Sequence, residues 1–419
     1  MTAGFGVRGS GFGVLVLGSA VTGAVLVAAP VFGQGRITNA KMETRSAAQG
    51  VEREVRAVAA RGGASWIGYR VPMVAGPRQM CCDDSLGTGA AWPGTGAAAI
   101  DRAAPVPGIA PVPSPSSCCG MCRLESGGGV SMTTGDSQSL RGSRITLEPP
   151  TEFLVLARVE NGAVARVHTF TPDCDVDTGG MPLVWLNDAK PDDSIAWLTT
   201  LVLSHAETAK DAKEDPALRS SRPLRESDID RVAKSAMTAI ALHDAPVADR
   251  ALESFVAPSR PEWLRGETAF WLGSARGEPG ARLLARMIAN DPSDKVRDKV
   301  TFGLSVSKVP AALTTLIAAA RDDRSTKVRG QALFWLAQKA GKEAMATIAG
   351  AIDNDPDTEV KKKAVFALSQ MPKDEGVPRL IEVARTNRNP EVRKQAMFWL
   401  GQTRDPRAVK FFEDILLKK

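Results

Sequence analysis

The strongest constraint on this chain is a register that recurs every 32 residues through its second half. The segments Trp263 to Leu272, Lys295 to Leu304, Lys327 to Leu336, Glu359 to Leu368 and Glu391 to Leu400 align without insertion, and a degenerate copy from Val232 to Ile240 keeps the same spacing. Such a period marks a stacked-repeat architecture. Within one unit Val296, Val300 and Leu304 lie four apart and form one apolar stripe on a helix. A second amphipathic helix occupies the intervening stretch, through sets such as Leu284, Met287 and Ile288, then Leu316, Ala319 and Ala320, then Ile348, Ala351 and Ile352. Neither helix can bury its apolar face alone. Consecutive pairs must therefore pile into a solenoid with one continuous core, here six units over residues 227–419. Asp291, Asp323, Asp355 and Asn387 precede the stripe helices, where they are expected to cap the free amides.

An acidic turn followed by Val-Arg, a small residue and Leu resembles the HEAT-repeat family, in particular the short units of bilin lyases. The resemblance covers residues 227–419. It implies an all-α solenoid whose Val-Arg helices line the concave side, and protein–protein scaffolding as the commonest use. DNA glycosylase and lyase activities are minority uses in such folds, and no catalytic motif of either is matched here.

Stacking turns each repeat position into a column. Ala239, Trp271, Gly303, Trp335, Ala367 and Trp399 alternate small and large, as interlocking core residues would. Phe270, Phe302, Phe334, Phe366 and Phe398 stand about 100° round the helix from them. They are expected to fill the grooves between units or, alternatively, to form an exposed aromatic track. Arg265, Arg297, Arg329, Lys361 and Arg393 form a cationic column in the first turn, where the helix dipole disfavours positive charge. The expectation is a ladder with Asp291, Asp323 and Asp355; the alternative is a basic strip for an acidic partner. Lys299, Lys363 and Lys394, with the Phe column, are the concave-face binding candidates.

The first half reads differently. From Gly9 to Gly35 there are 27 uncharged residues behind Arg8, so residues 1–35 are expected to be an export signal, or an uncleaved anchor. All six cysteines, Cys81, Cys82, Cys118, Cys119, Cys122 and Cys174, cluster before the repeats. In an exported chain they read as a disulfide framework, against a thiol or metal site suggested by the spacing of Cys119 and Cys122. A small α+β disulfide-bearing domain is expected over 36–85 and 118–205. A Gly/Ala/Pro-rich linker interrupts it at 86–117, and a charged linker follows at 206–226. Met42 to Ala60 reads as one helix; Ser65 to Pro72, Ile145 to Leu147, Phe153 to Val159 and Val164 to Thr171 read as strands, with a tight turn at Asn161-Gly162. Asp173 to Asp177 is expected to be a polar turn, since the glycine and glutamate of a calcium loop are missing, and His168 is expected on the ribbon's surface.

With three histidines and one tyrosine, the chain has few of the groups that usually perform general-base or zinc chemistry. Its net charge is only +6, and residues 222–419 carry 34 basic and 26 acidic side chains. The expectation is an exported, periplasmic or extracellular, non-enzymatic scaffold for a protein or peptide partner, without cofactor or metal. No nucleic acid is expected, and membrane contact arises only if the N-terminal segment is retained. A nucleic-acid-binding solenoid and a thiol or metal activity of the cysteine domain are the alternatives.

Overall fold

The structure is a computed structural model and describes residues 37–76, 80, 122–125, 150–172, 174–214, 226–339 and 341–417. The export segment, the Pro-rich stretch, the strand expected at Ile145 to Leu147, and Cys81, Cys82, Cys118 and Cys119 lie outside those residues.

The first part is a mixed sheet. Its elements are β1 (Ile37–Thr38), β2 (Lys41–Ser46), α1 (Val51–Ala59), β3 (Ser65–Pro72), β4 (Cys122–Arg123), β5 (Glu152–Glu160), β6 (Ala163–Phe170), β7 (Val176–Asp177), β8 (Pro182–Asn187) and α2 (Pro191–Glu214). Five strands pair in the order β2-β8-β3-β5-β6, and β1, β7 and β4 make a short second sheet. The β5–β6 hairpin turns at Asn161 and Gly162, whose φ angles of 52° and 78° suit a two-residue turn between twisted strands. β8 lies parallel between β2 and β3. Gly68 on β3 leaves room there: a Cβ would stand 2.5 Å from Leu156 and 3.0 Å from the Trp185 ring.

Two expectations fail in this region. Met42 to Ala60 is not one helix, because residues 41–46 pair along their whole length with β8 and Gly50, at φ 101°, turns the chain into the shorter α1. The helix-forming Ala, Glu and Arg residues yield to a waiting strand edge. The charged linker at 206–226 also fails at its start, since α2 runs on to Glu214 and Ala206 is buried.

The second part consists of twelve helices in six pairs: α3 (Glu226–Leu242), α4 (Pro246–Phe255), α5 (Glu262–Ala275), α6 (Gly277–Asn290), α7 (Asp294–Val306), α8 (Pro310–Asp322), α9 (Thr326–Lys339), α10 (Lys342–Asn354), α11 (Thr358–Ser369), α12 (Lys373–Thr386), α13 (Pro390–Gln402) and α14 (Pro406–Leu417). Val296, Val300, Leu304 and their equivalents are buried in each unit, and the apolar core runs without a break from Ala47 to Phe411. The sheet and the solenoid are therefore one packed body. α2 and β6 lie against α3, Val74 N donates to the Leu242 carbonyl at 2.9 Å, and Asp244 N donates to the Pro72 carbonyl at 3.1 Å.

A buried polar chain closes this junction. His243 Nδ1 lies 2.7 Å from the Ala239 carbonyl, an acceptor only, so that nitrogen carries the proton. Nε2 then accepts from the Ser194 hydroxyl at 2.9 Å, whose oxygen accepts from Tyr69 at 2.8 Å. All three side chains are fully buried. The Arg276 guanidinium, also buried, donates to the carbonyls of Ala241, His243 and Ala245 and pairs with Asp249 at 2.7 Å.

Burial, and secondarily the nearby Arg276 charge, push the His243 pKa down to about 4, against the opposing pull of the Ala239 carbonyl. The folded pKa lies below the unfolded one, so the unfolded chain takes up the proton first. The stabilisation is complete above about pH 6.5 and is lost as pH falls towards 4, by about 3 kcal/mol. Denaturant unfolding across that window should show this component in the native chain and lack it in His243→Gln. Equal pH slopes for the two would contradict the assignment.

Candidate functional site

The stripe helices α5, α7, α9, α11 and α13 pack on one another more closely along the row than the alternate helices do. The tighter row of a curved stack is the inner one. Glycines permit the closest approach, since a Cβ on Gly273 would run into the Gly303 carbonyl and one on Gly303 would run into that of Ala269.

The arginine column lies within the stack and is withdrawn from the inner surface. Arg265 grips Asp291 through Nε and Nη2 at 2.8 and 3.0 Å, Arg297 grips Asp323 at 2.9 and 3.1 Å, and Arg329 grips Asp355 at 2.8 and 3.0 Å. Side-chain exposure of these six residues is 10% or less. Each fork is a bidentate, charge-assisted pair reaching the turn that opens the following unit. The remaining guanidinium nitrogen reaches back to the preceding turn: Arg297 Nη1 donates to the Asp291 carbonyl and Arg329 Nη1 to the Asp323 carbonyl, both at 2.9 Å. One side chain therefore ties two successive turns together. At the next unit Lys361 bonds the Asp353 carbonyl, and Asn387 stands where the acid was, so cation and acid change together. Arg393 donates to the Asn387 carbonyl at 2.8 Å.

The capping expectation needs correction. Asp291, Asp323 and Asp355 accept from the backbone N–H two residues on, and the helix caps are Ser293, Asp357 and Asn389. The carboxylates thus shape the turn and hold the arginine, leaving the helix amides to the later residue.

The solvent-facing stripe of α7 carries Lys295, Lys299 and Phe302, spaced four and three apart. Its equivalents on neighbouring helices place the phenylalanine column on the inner surface, half-buried from Phe270 to Phe366 and 53% exposed at Phe398. The tryptophan column, expected as core, is only half-buried and joins it. Ring centroids follow one another from Trp271 to Phe270 at 4.9 Å, Phe302 at 5.7 Å, Trp335 at 4.7 Å, Phe334 at 4.9 Å, Phe366 at 6.0 Å, Trp399 at 5.0 Å and Phe398 at 5.0 Å. The small residues of the alternating column, Gly303 and Ala367, stand beside Phe302 and Phe366, where the next unit's indole lies down. Sequence spacing pointed to phenylalanines alone; the tryptophans belong to the same row because the alternation in size opens space at the surface.

The lysines divide into two kinds. Lys299 stretches its stem over Gly266 and pairs with Glu267 at 2.5 Å. Lys363 lies over Gly330 in the same way, but Gln331 replaces the glutamate. Neither Lys363 nor Lys394 forms an ion pair among the described residues.

Other candidates have less to offer. Cys174 is buried with its sulfur 3.0 Å from the Met80 carbonyl oxygen and 3.3 Å from Thr171 Oγ1. Asp177 accepts from Gly179 N at 2.8 Å in a polar turn, while Asp173 lies outside the described residues. Among the described residues no group of three or more His, Cys, Asp or Glu is placed to hold a metal ion. His168 is half-buried between the Trp66 and Phe170 rings. A cleft of about 280 Å³ between α1, the β5–β6 hairpin and α2 is mainly apolar.

Residues 313–397 and 345–419 match the HEAT-repeat family. No curated protein matches the chain. Among solved structures, the chain is similar to the complex of CpcE and CpcF of phycocyanin lyase from Nostoc sp. PCC7120, at 22% identity and a TM-score of 0.29, covering 37% of this chain and 99% of that one. It is also similar to human deoxyhypusine hydroxylase in complex with glycerol, at 14% identity and a TM-score of 0.22, covering 54% of this chain and 91% of that one.

Removing one partner of a ladder pair strands a buried charge, which costs about 3–5 kcal/mol. Arg297→Ala should therefore lower unfolding stability by that amount, and Arg297→Met combined with Asp323→Leu should recover most of it. A loss below about 1 kcal/mol for the single variant, as for an exposed pair, would show that the fork does not hold the stack.

Proposed function

We propose that this HEAT-repeat chain is an exported, non-enzymatic scaffold that holds a protein or peptide partner along its inner helices. One observation carries the reading. The aromatic row is continuous from Trp271 to Phe398, and from Phe334 to Phe398 its rings are half-buried to exposed. A contiguous apolar strip rimmed by polar side chains favours association, and rigid aromatic rings dominate the energetics of such surfaces. The buried, paired arginines leave charge steering to the lysines of the row.

Export rests on the uncharged stretch from Gly9 to Gly35 behind Arg8, and the clustered cysteines suit disulfides in an oxidising compartment. No residue is assigned a catalytic role, and no cofactor is required. The sheet domain, packed against the first helix pair, serves as the cap that a solenoid end needs.

The test places a photo-activated cross-linking side chain at single positions of the full chain in its native compartment. Positions 366 and 398 on the inner row should yield one discrete protein adduct, and positions 314 and 382 on the outer row should not. Phe334→Ala should diminish the inner-row adduct. Adducts confined to the outer positions would move the binding surface elsewhere, and recovery of the chain in the cytoplasm with its first 35 residues intact would remove export.

A further inference from the structure

The inner row is chemically uneven along its length, and the unevenness points to the kind of partner. On α7 and at the start of α9 its lysines are consumed by their neighbours: Lys295 reaches Glu262 at 4.0 Å, Lys299 pairs with Glu267 at 2.5 Å and Lys327 with Asp298 at 3.0 Å. The Lys299 arrangement recurs one repeat pair later with its acid missing. Lys363 crosses Gly330 as Lys299 crosses Gly266, but the residue 32 positions before it is Gln331 where Lys299 has Glu267. Lys394 likewise has the cation Lys362 at that distance, and Lys362 itself is paired with Glu359 at 3.0 Å. Both unpaired ammonium groups share a helix face with a ring: Lys363 lies three residues before Phe366, and Lys394 four before Phe398. Phe398 is 53% exposed and Met397 37% exposed beside them. The α9 to α13 part of the row therefore combines open aromatic area with two ammonium groups, Lys363 and Lys394, that form no ion pair among the described residues, beside the exposed Glu391 three residues before Lys394.

We infer that this part of the row binds an extended acidic peptide segment that places an apolar side chain at every third residue and carboxylates between. Complementary charge supplies the sign, since neither Lys363 nor Lys394 forms an ion pair among the described residues. Spacing supplies the period. Packed helices stand about 8–10 Å apart and an extended chain advances about 3.1–3.4 Å per residue, so three residues carry a peptide from one repeat to the next. The inference rests on the scaffold reading above and gives it a ligand class.

The experiment uses the full chain and fluorescein-labelled peptides followed by anisotropy. One probe is four Leu-Glu-Asp units, a second is four Leu-Gln-Asn units, and a third has the proline-rich sequence of residues 104–115. The acidic probe should bind, and added salt should weaken it, because exposed charges are screened within about 10 Å at moderate ionic strength. Gln331→Glu re-creates the Lys299–Glu267 pair around Lys363 and should weaken binding roughly threefold, while Lys363→Glu with Lys394→Glu should weaken it roughly tenfold or more. Circular dichroism of each variant should match the native chain, as all three positions are on the surface. Equal binding of the Leu-Gln-Asn probe, preference for the proline-rich probe, or indifference to Gln331→Glu and to the double reversal would each overturn the inference. If the neutral probe binds equally and Phe366→Ala removes both, the acidic claim falls and the aromatic scaffold stands. If no probe binds, the acidic claim falls, and the cross-linking at 366 and 398 decides the scaffold reading separately.

Discussion

A pair of short helices cannot bury its apolar stripes by itself, and everything else in the solenoid depends on how each pair is held to the next. Two devices do this. Val, Ala and Leu columns close the seam from α3 to α14, and the buried guanidinium forks set the step from one turn to its successor. The apolar seam tolerates sliding, because dispersion and burial are not directional. The forks do not. Each arginine demands a carboxylate at one distance ahead and a carbonyl at one distance behind, so it fixes the relative placement of two turns as well as their contact. The exchange to Lys361 and Asn387 in the fifth unit fits this view, since a cation of different shape and a neutral amide replace the pair together and leave no charge buried alone.

With spacing fixed from inside, the outward-facing columns of the inner row are free to carry chemistry. The aromatic row follows from that freedom. From α5 on, phenylalanine recurs once per repeat and tryptophan in alternate repeats; where glycine or alanine in the preceding unit makes space, the indoles of Trp335 and Trp399 rest on Phe302 and Phe366 of the unit before. The charge pattern follows the same logic. Lysine stems lie flat over glycines, a placement set by packing, and whether the ammonium is neutralised depends on one further position, Glu267 or Gln331. A single-residue difference between repeats thus changes the field of the surface with no change in backbone.

The junction with the sheet obeys a different rule. Tyr69, Ser194 and His243 are fully buried, and a chain of donors each with one acceptor removes the penalty of burying them. Such a network tolerates little misplacement, so it joins the sheet to the first helix pair in one arrangement. The sheet and α2 cover that end of the stack, through the contacts of α2 and β6 with α3.

The amino-acid sequence alone determined the repeat, the pairing of helices, the apolar seam and the β5–β6 hairpin, because each rests on interactions between residues at short or constant separation: a 3.6-residue stripe, a 32-residue offset, a turn dipeptide. It also suggested that the arginines answer the aspartates. Only the tertiary structure decided that β2 is a strand, that α2 extends to Glu214 into the supposed linker, that Ser293, Asp357 and Asn389 cap the helices in place of Asp291, Asp355 and Asn387, and that the tryptophans lie in the surface row. Those outcomes turn on partners brought together across long stretches of chain: the β8 edge more than a hundred residues from β2, the helix α3 awaiting α2, the vacancy beside Gly303 that receives Trp335. Local propensity is blind to such partners, and where they offer more hydrogen bonds or more buried area, they prevail.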